Sequence, residues 1–297
     1  MQLYQIKFKA MGSPCELLLY CENKTRYEDT LRNVRKEIER LENTYTRFRD
    51  TSLTAEINRS AGKCPVSVDL ETSKLLEYAD ALYKQSDGLF DITSGVLRRA
   101  WDFKSGRVPT DSDLEPLLEL IDWPAVERTE KSVYLPKTEM QIDFGGFVKE
   151  YAADVLAIKC LESGIKSGLV NLGGDMRVVG PHPSGSGWKI GIQHPRKVNT
   201  AITKLTLFSG GIATSGDYER YMMVENVRYS HLLNPKTGKS IQPAYASTSV
   251  IADSCLIAGS CATVAMLKSM EEPNWLDELE LPFLTVDQNL SKGGPLA

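Results

Sequence analysis

His231 is one of only three histidines in a chain of 297 residues. It opens the stretch HLLNPKTG, in which Asn-Pro and Thr-Gly are strong turn signals. A neutral imidazole directly after a strand could act as a general base or position a phosphate. A lone histidine can also be purely structural. Three further stretches set polar residues beside glycine in the same manner: DGLFDITSG (87–95), QIDFGGFVKEYAAD (141–154) and VNLGGDMRVVG (170–180). In the second of these, Asp143 ends an apolar run, Gly145-Gly146 make a tight passage and a helix follows. The free N–H groups and positive dipole end of a helix N-terminus suit a phosphate, and Lys149 in the first turn would add charge. A plain strand-to-helix turn with a solvated lysine reads equally well. The spacing matches neither a Walker A loop nor a dinucleotide-binding fingerprint. Asp91, between Phe90 and Thr93, could hydrogen-bond a heterocycle edge while the ring packs on it, or simply cap a helix. Gly173-Gly174 could admit a ligand to the backbone or make a bare hairpin. Thr214-Ser215-Gly216 and Thr237-Gly238 are hydroxyl-glycine turns, common in anion sites and ordinary loops alike.

The elements that must position these residues follow from hydrophobic period. Residues 2–9 and 15–21 predict a strand pair joined through Met11-Gly12-Ser13-Pro14. Helices are predicted over 26–43, where Leu31, Val34, Ile38 and Leu41 share a face, over 53–60, over 70–86 and over 111–121, the last capped by Asp111 or Ser112. Strands are predicted near 132–135 and 139–143, then a helix from Gly145-Gly146 to about 163. Eight short segments follow between 167 and 252 at spacings of about 8–14 residues, the rhythm of an antiparallel sheet or partial barrel. A last helix is predicted over 254–269. The plan is α+β in one compact unit, with helices packed on twisted antiparallel sheets.

Composition bounds the function. Hydrophobic residues make up 42% and charged residues 25% of the chain, and the net charge of -4 gives no overall attraction to nucleic acid or anionic membrane. No apolar run is long enough for a membrane span, and the N-terminus lacks the pattern of a signal peptide, so a cytoplasmic location is expected. The six cysteines include no CxxC pair. They read as reduced, mostly buried thiols rather than a zinc site.

The order MGS (11–13), DGLFDITSG (87–95), IDFGGFVKEYAAD (142–154), LVNLGGD (169–175), TSGDYERY (214–221) and SHLLNPKTG (230–238) resembles the ApbE family over nearly the whole chain. The resemblance implies an ApbE-like (T-fold-like) fold as a single domain over 1–297. It implies FAD:protein FMN transferase activity: magnesium-dependent cleavage of the FAD pyrophosphate, transfer of FMN to a threonine hydroxyl of a target flavoprotein, and release of AMP. By that resemblance Met11, Phe48, Leu89, Phe90, Asp91, Asp143, Lys149 and Leu233 border FAD. His231 assists transfer, and a main-chain oxygen near Gly146 and the hydroxyl of Thr263 bind magnesium.

The chain departs from the family at informative places. Where the family carries an aspartate four residues before the threonine on the last helix, this chain has Gly259. Asp253, six residues earlier, would lie about 9 Å away along a helix, too far to substitute, and is expected to cap the helix. Glu150 stands where the family has a small glycine, Asn234 where it has aspartate, and the proline after Gly95 is absent. Loss of a hard carboxylate predicts weakened magnesium chemistry, and Gly259→Asp is expected to strengthen metal binding. Two alternatives to a transferase therefore stand: an FAD-binding protein with reduced catalysis, and an FAD pyrophosphatase that gives free FMN and AMP.

Overall fold

The computed structural model describes residues 1–297. Its spine is an eight-stranded antiparallel sheet whose strands lie side by side in chain order: Gln2–Ala10, Ser13–Cys21, Gly168–Leu172, Asp175–Gly180, Gly211–Gly216, Tyr245–Ala252, Phe283–Asp287 and Lys292–Gly293. The period-two pattern of Ser13–Cys21 buries Cys15, Leu17, Leu19 and Cys21 on one face. Leu17 lies opposite Val170 and Cys15 opposite Leu172. Each fully buried leucine of this kind contributes about 2 kcal/mol, an upper figure because denatured chains already bury some surface.

Six helices fill the excursions between strands: α1 (Lys24–Tyr45), α2 (Leu53–Arg59), α3 (Leu70–Gln85), α4 (Asp111–Leu118), α5 (Val148–Glu162) and α6 (Cys255–Lys268). Helices α1, α5 and α6 cover one face of the sheet and share the main core with it. Helices α5 and α6 pack on each other, and both bury small residues: Ala152, Ala153 and Ala157 on α5, and Ala258, Gly259 and Ala262 on α6. The opposite face is covered by a hairpin, Trp188–Gln193 with Ala201–Leu207, over Leu169, Val178, Ile212 and Leu284. A small three-stranded sheet and the hairpin Tyr221–Val224/Val227–Ser230 complete the molecule. No helix is long and apolar enough to cross a membrane.

Four expectations need correction. Residues 139–143 form no strand. The side-chain amide of Asn58 takes the place of a neighbouring strand, accepting from the Ile142 N–H (2.8 Å) and donating to its carbonyl (3.1 Å). Gly145-Gly146 lie in a 3-10 turn, Phe144–Gly146, and α5 proper starts at Val148. Helix α4 is capped by Thr110, with Asp113 completing a capping box. Asp253 does not cap α6: the Ser254 side chain accepts from Ile257 N–H, and the Asp154 carboxylate accepts from Cys255 and Leu256 N–H, both at 2.9 Å. The elements not anticipated include the 3-10 segment Ile92–Arg99 and the two strands after residue 280. Of the cysteines, all free, four are buried, Cys261 is half-buried and Cys64 is exposed.

Candidate active site

The excursions between strands return to one end of the sheet and enclose a cavity of about 780 Å³. That volume lies within the usual range for small-molecule and cofactor sites. Every residue that the family resemblance placed at the cofactor or the cation lines it: Met11, Phe48, Leu89, Phe90, Asp91 and Asp143. So do Gly146, Lys149, His231, Leu233 and Thr263, together with Gly259 and Glu150. Gly173-Gly174 do not line it. They form the two-residue turn between the paired Leu172 and Asp175, which is the bare-hairpin reading.

The apolar side is assembled from three places. Met11 sits in the turn of the first hairpin at φ 49°, a left-handed conformation uncommon for a side chain of its size. Leu89 and Phe90 are buried after α3. A Cβ on Gly146 would come within 2.9 Å of the Phe90 ring, so that close approach requires glycine. Phe48 is 84% exposed at the mouth, with the Arg47 guanidinium 5.0 Å from its ring centre. An aromatic ring without a packing partner there is available to a planar ligand.

Two carboxylates expected to meet ligand are engaged in local structure. Asp91 accepts from the N–H and hydroxyl of Thr93 at 2.7 and 2.6 Å, and burial raises its pKa. Asp143 accepts from Gly145 N–H and pairs with Arg47 at 3.3 Å. Both also line the cavity, so the capping reading and the ligand-facing reading coexist.

His231 follows the strand Val227–Ser230, and its backbone is held at both polar groups. Its N–H donates to the Arg220 carbonyl (2.9 Å), and its carbonyl accepts from Arg98 (3.3 Å). The turn after it is closed by Asn234, whose backbone N–H donates to Lys239 and whose carbonyl accepts from Gly238. Trp101 Nε1–H donates to the Gly238 carbonyl at 2.7 Å and fixes the turn against the segment that carries Arg98. Burial, then the neighbouring Arg98 and Arg220 guanidinium groups, lower the His231 pKa to about 4. The ring is therefore neutral at pH 7, and its Nδ1 is sealed from solvent with no hydrogen-bond partner. Burial and the nearby Arg47 lower Arg98 itself to about 10, so it keeps its charge.

Across the cavity lies a different cluster. Lys149 pairs with the Asp175 carboxylate at 2.6 Å and lies 4.0 Å from Glu150. Asp175 is 3% exposed, and its other oxygen accepts from Thr214 N–H at 3.1 Å. Glu219 is close enough for Lys149 and Asp175 to influence its charge, and burial raises its pKa. Burial and the Asp175 carboxylate push Glu150 up to about 8, and its Oε2 is shielded from solvent without a partner. Helix α5 has no side-chain cap at its N-terminus.

Residues 11–284 match the profile of the ApbE family. The chain belongs to that family. An FAD:protein FMN transferase of Chlamydia pneumoniae is 32% identical over 248 residues, covering 80% of this chain and 77% of the relative. One of Klebsiella pneumoniae is 30% identical over 260 residues, covering 86% and 79%. The crystal structure of the ApbE protein of Thermotoga maritima superposes with a TM-score of 0.90 at 27% identity, covering 99% of this chain and 97% of that one. The ApbE fold read from the motif order is thus the fold observed.

Sequence reasoning passed over Arg47, Arg98, Asp175, Glu219 and Arg220, which also line the ApbE cavity. Asp175, Glu219 and Arg220 were inside quoted motifs, so their placement was legible and their charge partners were not. Arg47 adjoins Phe48, but nothing in its type or spacing separates it from a surface arginine. The residues around Thr263 fit the hard divalent cation that the family implies. Thr263 shares the cavity with Glu150, whose buried Oε2 lacks any partner, and hydroxyl and carboxylate oxygens are donors that such an ion takes.

Proposed function

We propose that the protein is an FAD:protein FMN transferase that moves FMN from FAD to a threonine hydroxyl of a target flavoprotein and releases AMP. The observation that carries this reading is a neutral imidazole beside the Arg98 and Arg220 guanidinium groups, with Arg47 next to Arg98, in a single cavity with apolar surface and an exposed aromatic ring. Transfer between phosphates requires charge neutralisation and an aligned nucleophile rather than elaborate covalent chemistry. The guanidinium groups and Lys149 match the pyrophosphate charge. Met11, Leu89, Phe90, Leu233 and Phe48 hold the ring systems.

The acceptor threonine oxygen attacks the FMN phosphorus, and His231 takes the hydroxyl proton as general base. One P–O bond forms, the P–O bond to the AMP phosphate breaks, and AMP leaves with the bridging oxygen. Thr263 and a main-chain oxygen near Gly146 would hold magnesium, which supplies Lewis-acid stabilisation of the charge on the phosphates. Water in place of threonine would give FMN and AMP, the pyrophosphatase reading. The FAD-binding reading rested on the missing carboxylate at Gly259, and a carboxylate lies against that position.

The test is AMP release from FAD, with and without magnesium and with a threonine-bearing acceptor domain. AMP formation matched by covalent, fluorescent acceptor is the expected result. AMP without labelled acceptor would favour the pyrophosphatase, and intact bound FAD would overturn both.

A further inference from the structure

Two departures from the family pattern that lie 109 positions apart in sequence meet in space. A Cβ built on Gly259 would stand 2.5 Å from Glu150 Cγ, 3.1 Å from its Cδ and 3.2 Å from its Oε1. No side chain fits at 259 while Glu150 holds its place. The register of the two helices explains the meeting. Asp154, one turn after Glu150 on α5, accepts the first N–H groups of α6, and Gly259 lies one turn further along α6. The antiparallel pair is pinned at Asp154, so Glu150 is delivered to Gly259.

We propose that Glu150 is the carboxylate donor to a divalent cation at this site, supplied from α5 in place of a side chain at position 259 of α6. Glu150 is only 9% exposed, lines the cavity with Thr263, and has one oxygen shielded and unpartnered. A buried carboxylate oxygen in that state requires a proton or a cation. Its surroundings favour the cation. Glu150, Asp175 and Glu219 carry three negative charges when ionised, and Lys149 returns one, leaving a net charge of -2 among them. Thr263, four residues after Gly259, lies on the same face of α6 and lines the cavity. Charged oxygen with a hydroxyl is a donor set for a hard ion such as magnesium.

This corrects the expectation for Gly259→Asp. A new side chain there displaces Glu150 rather than adding a ligand, so the single variant crowds the helix contact and lowers Tm. The two positions are coupled, and only their joint exchange keeps one carboxylate in the site.

The proposal rests on the proposed function only for the task of the cation, because binding is read without turnover. Manganese binding to the full chain is followed by electron paramagnetic resonance, with magnesium competition. Glu150→Gln keeps the size and the packing against Gly259, and is expected to weaken binding roughly tenfold or more with Tm unchanged. Glu150→Gly combined with Gly259→Asp is expected to recover binding to within a few-fold of the parent, by roughly the same factor that the Gln variant loses. Undiminished binding by Glu150→Gln overturns the proposal, as does a folded double variant that binds no better than Glu150→Gln. Cation binding through Glu150 without AMP release from FAD would remove the functional reading and leave the site intact. AMP release with cation binding indifferent to position 150 would do the reverse.

Discussion

The two charged sides of the cavity differ in how their charges are held. Around His231, three guanidinium groups have few carboxylate partners: Arg47 pairs with Asp143, while Arg98 makes its hydrogen bond to a backbone carbonyl. Around Lys149, one ammonium serves three carboxylates. The first side has surplus positive charge and a base kept neutral by burial and, after it, by that surplus. The second has surplus negative charge when its carboxylates are ionised, and a buried oxygen with no partner. Each imbalance costs stability in the empty protein and is relieved by a charge of opposite sign, the pattern of a site organised for ligand rather than for rigidity. The first side fits an anion such as a pyrophosphate, and the second a divalent cation.

That comparison can be broken most directly at His231. His231→Gln is expected to lower the transfer rate by roughly a hundredfold or more, while FAD affinity and Tm stay close to the parent. A rate loss matched by an equal loss of FAD affinity would make the imidazole a positioning group. On the other side, Asp175→Asn leaves Lys149 without its full partner in a largely buried pair. It is expected to cost about 3 kcal/mol in urea denaturation, an effect that His231→Gln should not show. Arg98→Met sharpens the account of the imidazole. His231 must be neutral to accept a proton, and its folded pKa is depressed, so activity falls as pH drops through that value. Removing a nearby positive charge raises the value, and the acid limb of the pH–rate profile should move up by roughly one unit. Phe48→Ala should give the smallest change, about 1 kcal/mol in FAD affinity with little change in Tm, because the exposed ring meets only the Arg47 guanidinium in the empty protein.

The motif order made the fold and most of the cavity lining legible, since each motif is a local pattern of glycine, hydroxyl and acid that a sequence displays directly. What it could not display was pairing between motifs. Glu150 and Gly259 appeared as two separate losses, and only the helix contact fixed by Asp154 makes them one exchange. Arg98 is one of two adjacent arginines, Arg98-Arg99, with nothing in the sequence to single it out, because the contact with His231 comes from a segment more than a hundred residues away. The false strand at 139–143 arose from the buried, apolar Met140 and Ile142, whose partner is a side chain on α2 rather than another strand. The strand Phe283–Asp287, by contrast, carried its signal in the β-formers of FLTV and was passed over.

The strand order also has a consequence for synthesis. The hairpin Gln2–Cys21 leaves the ribosome early, but the strand that pairs with its inner edge begins only at Gly168, after all the helices from α1 to α5 have been made. Until then Leu17 and Leu19 have no sheet beside them and Met11 has no cavity to line. The edge of Ser13–Cys21 is an unpaired template for other chains throughout that interval. A nascent chain stalled before residue 168 therefore exposes a sticky hairpin. A chaperone that recognises extended apolar segments would meet this hairpin before the rest of the sheet exists.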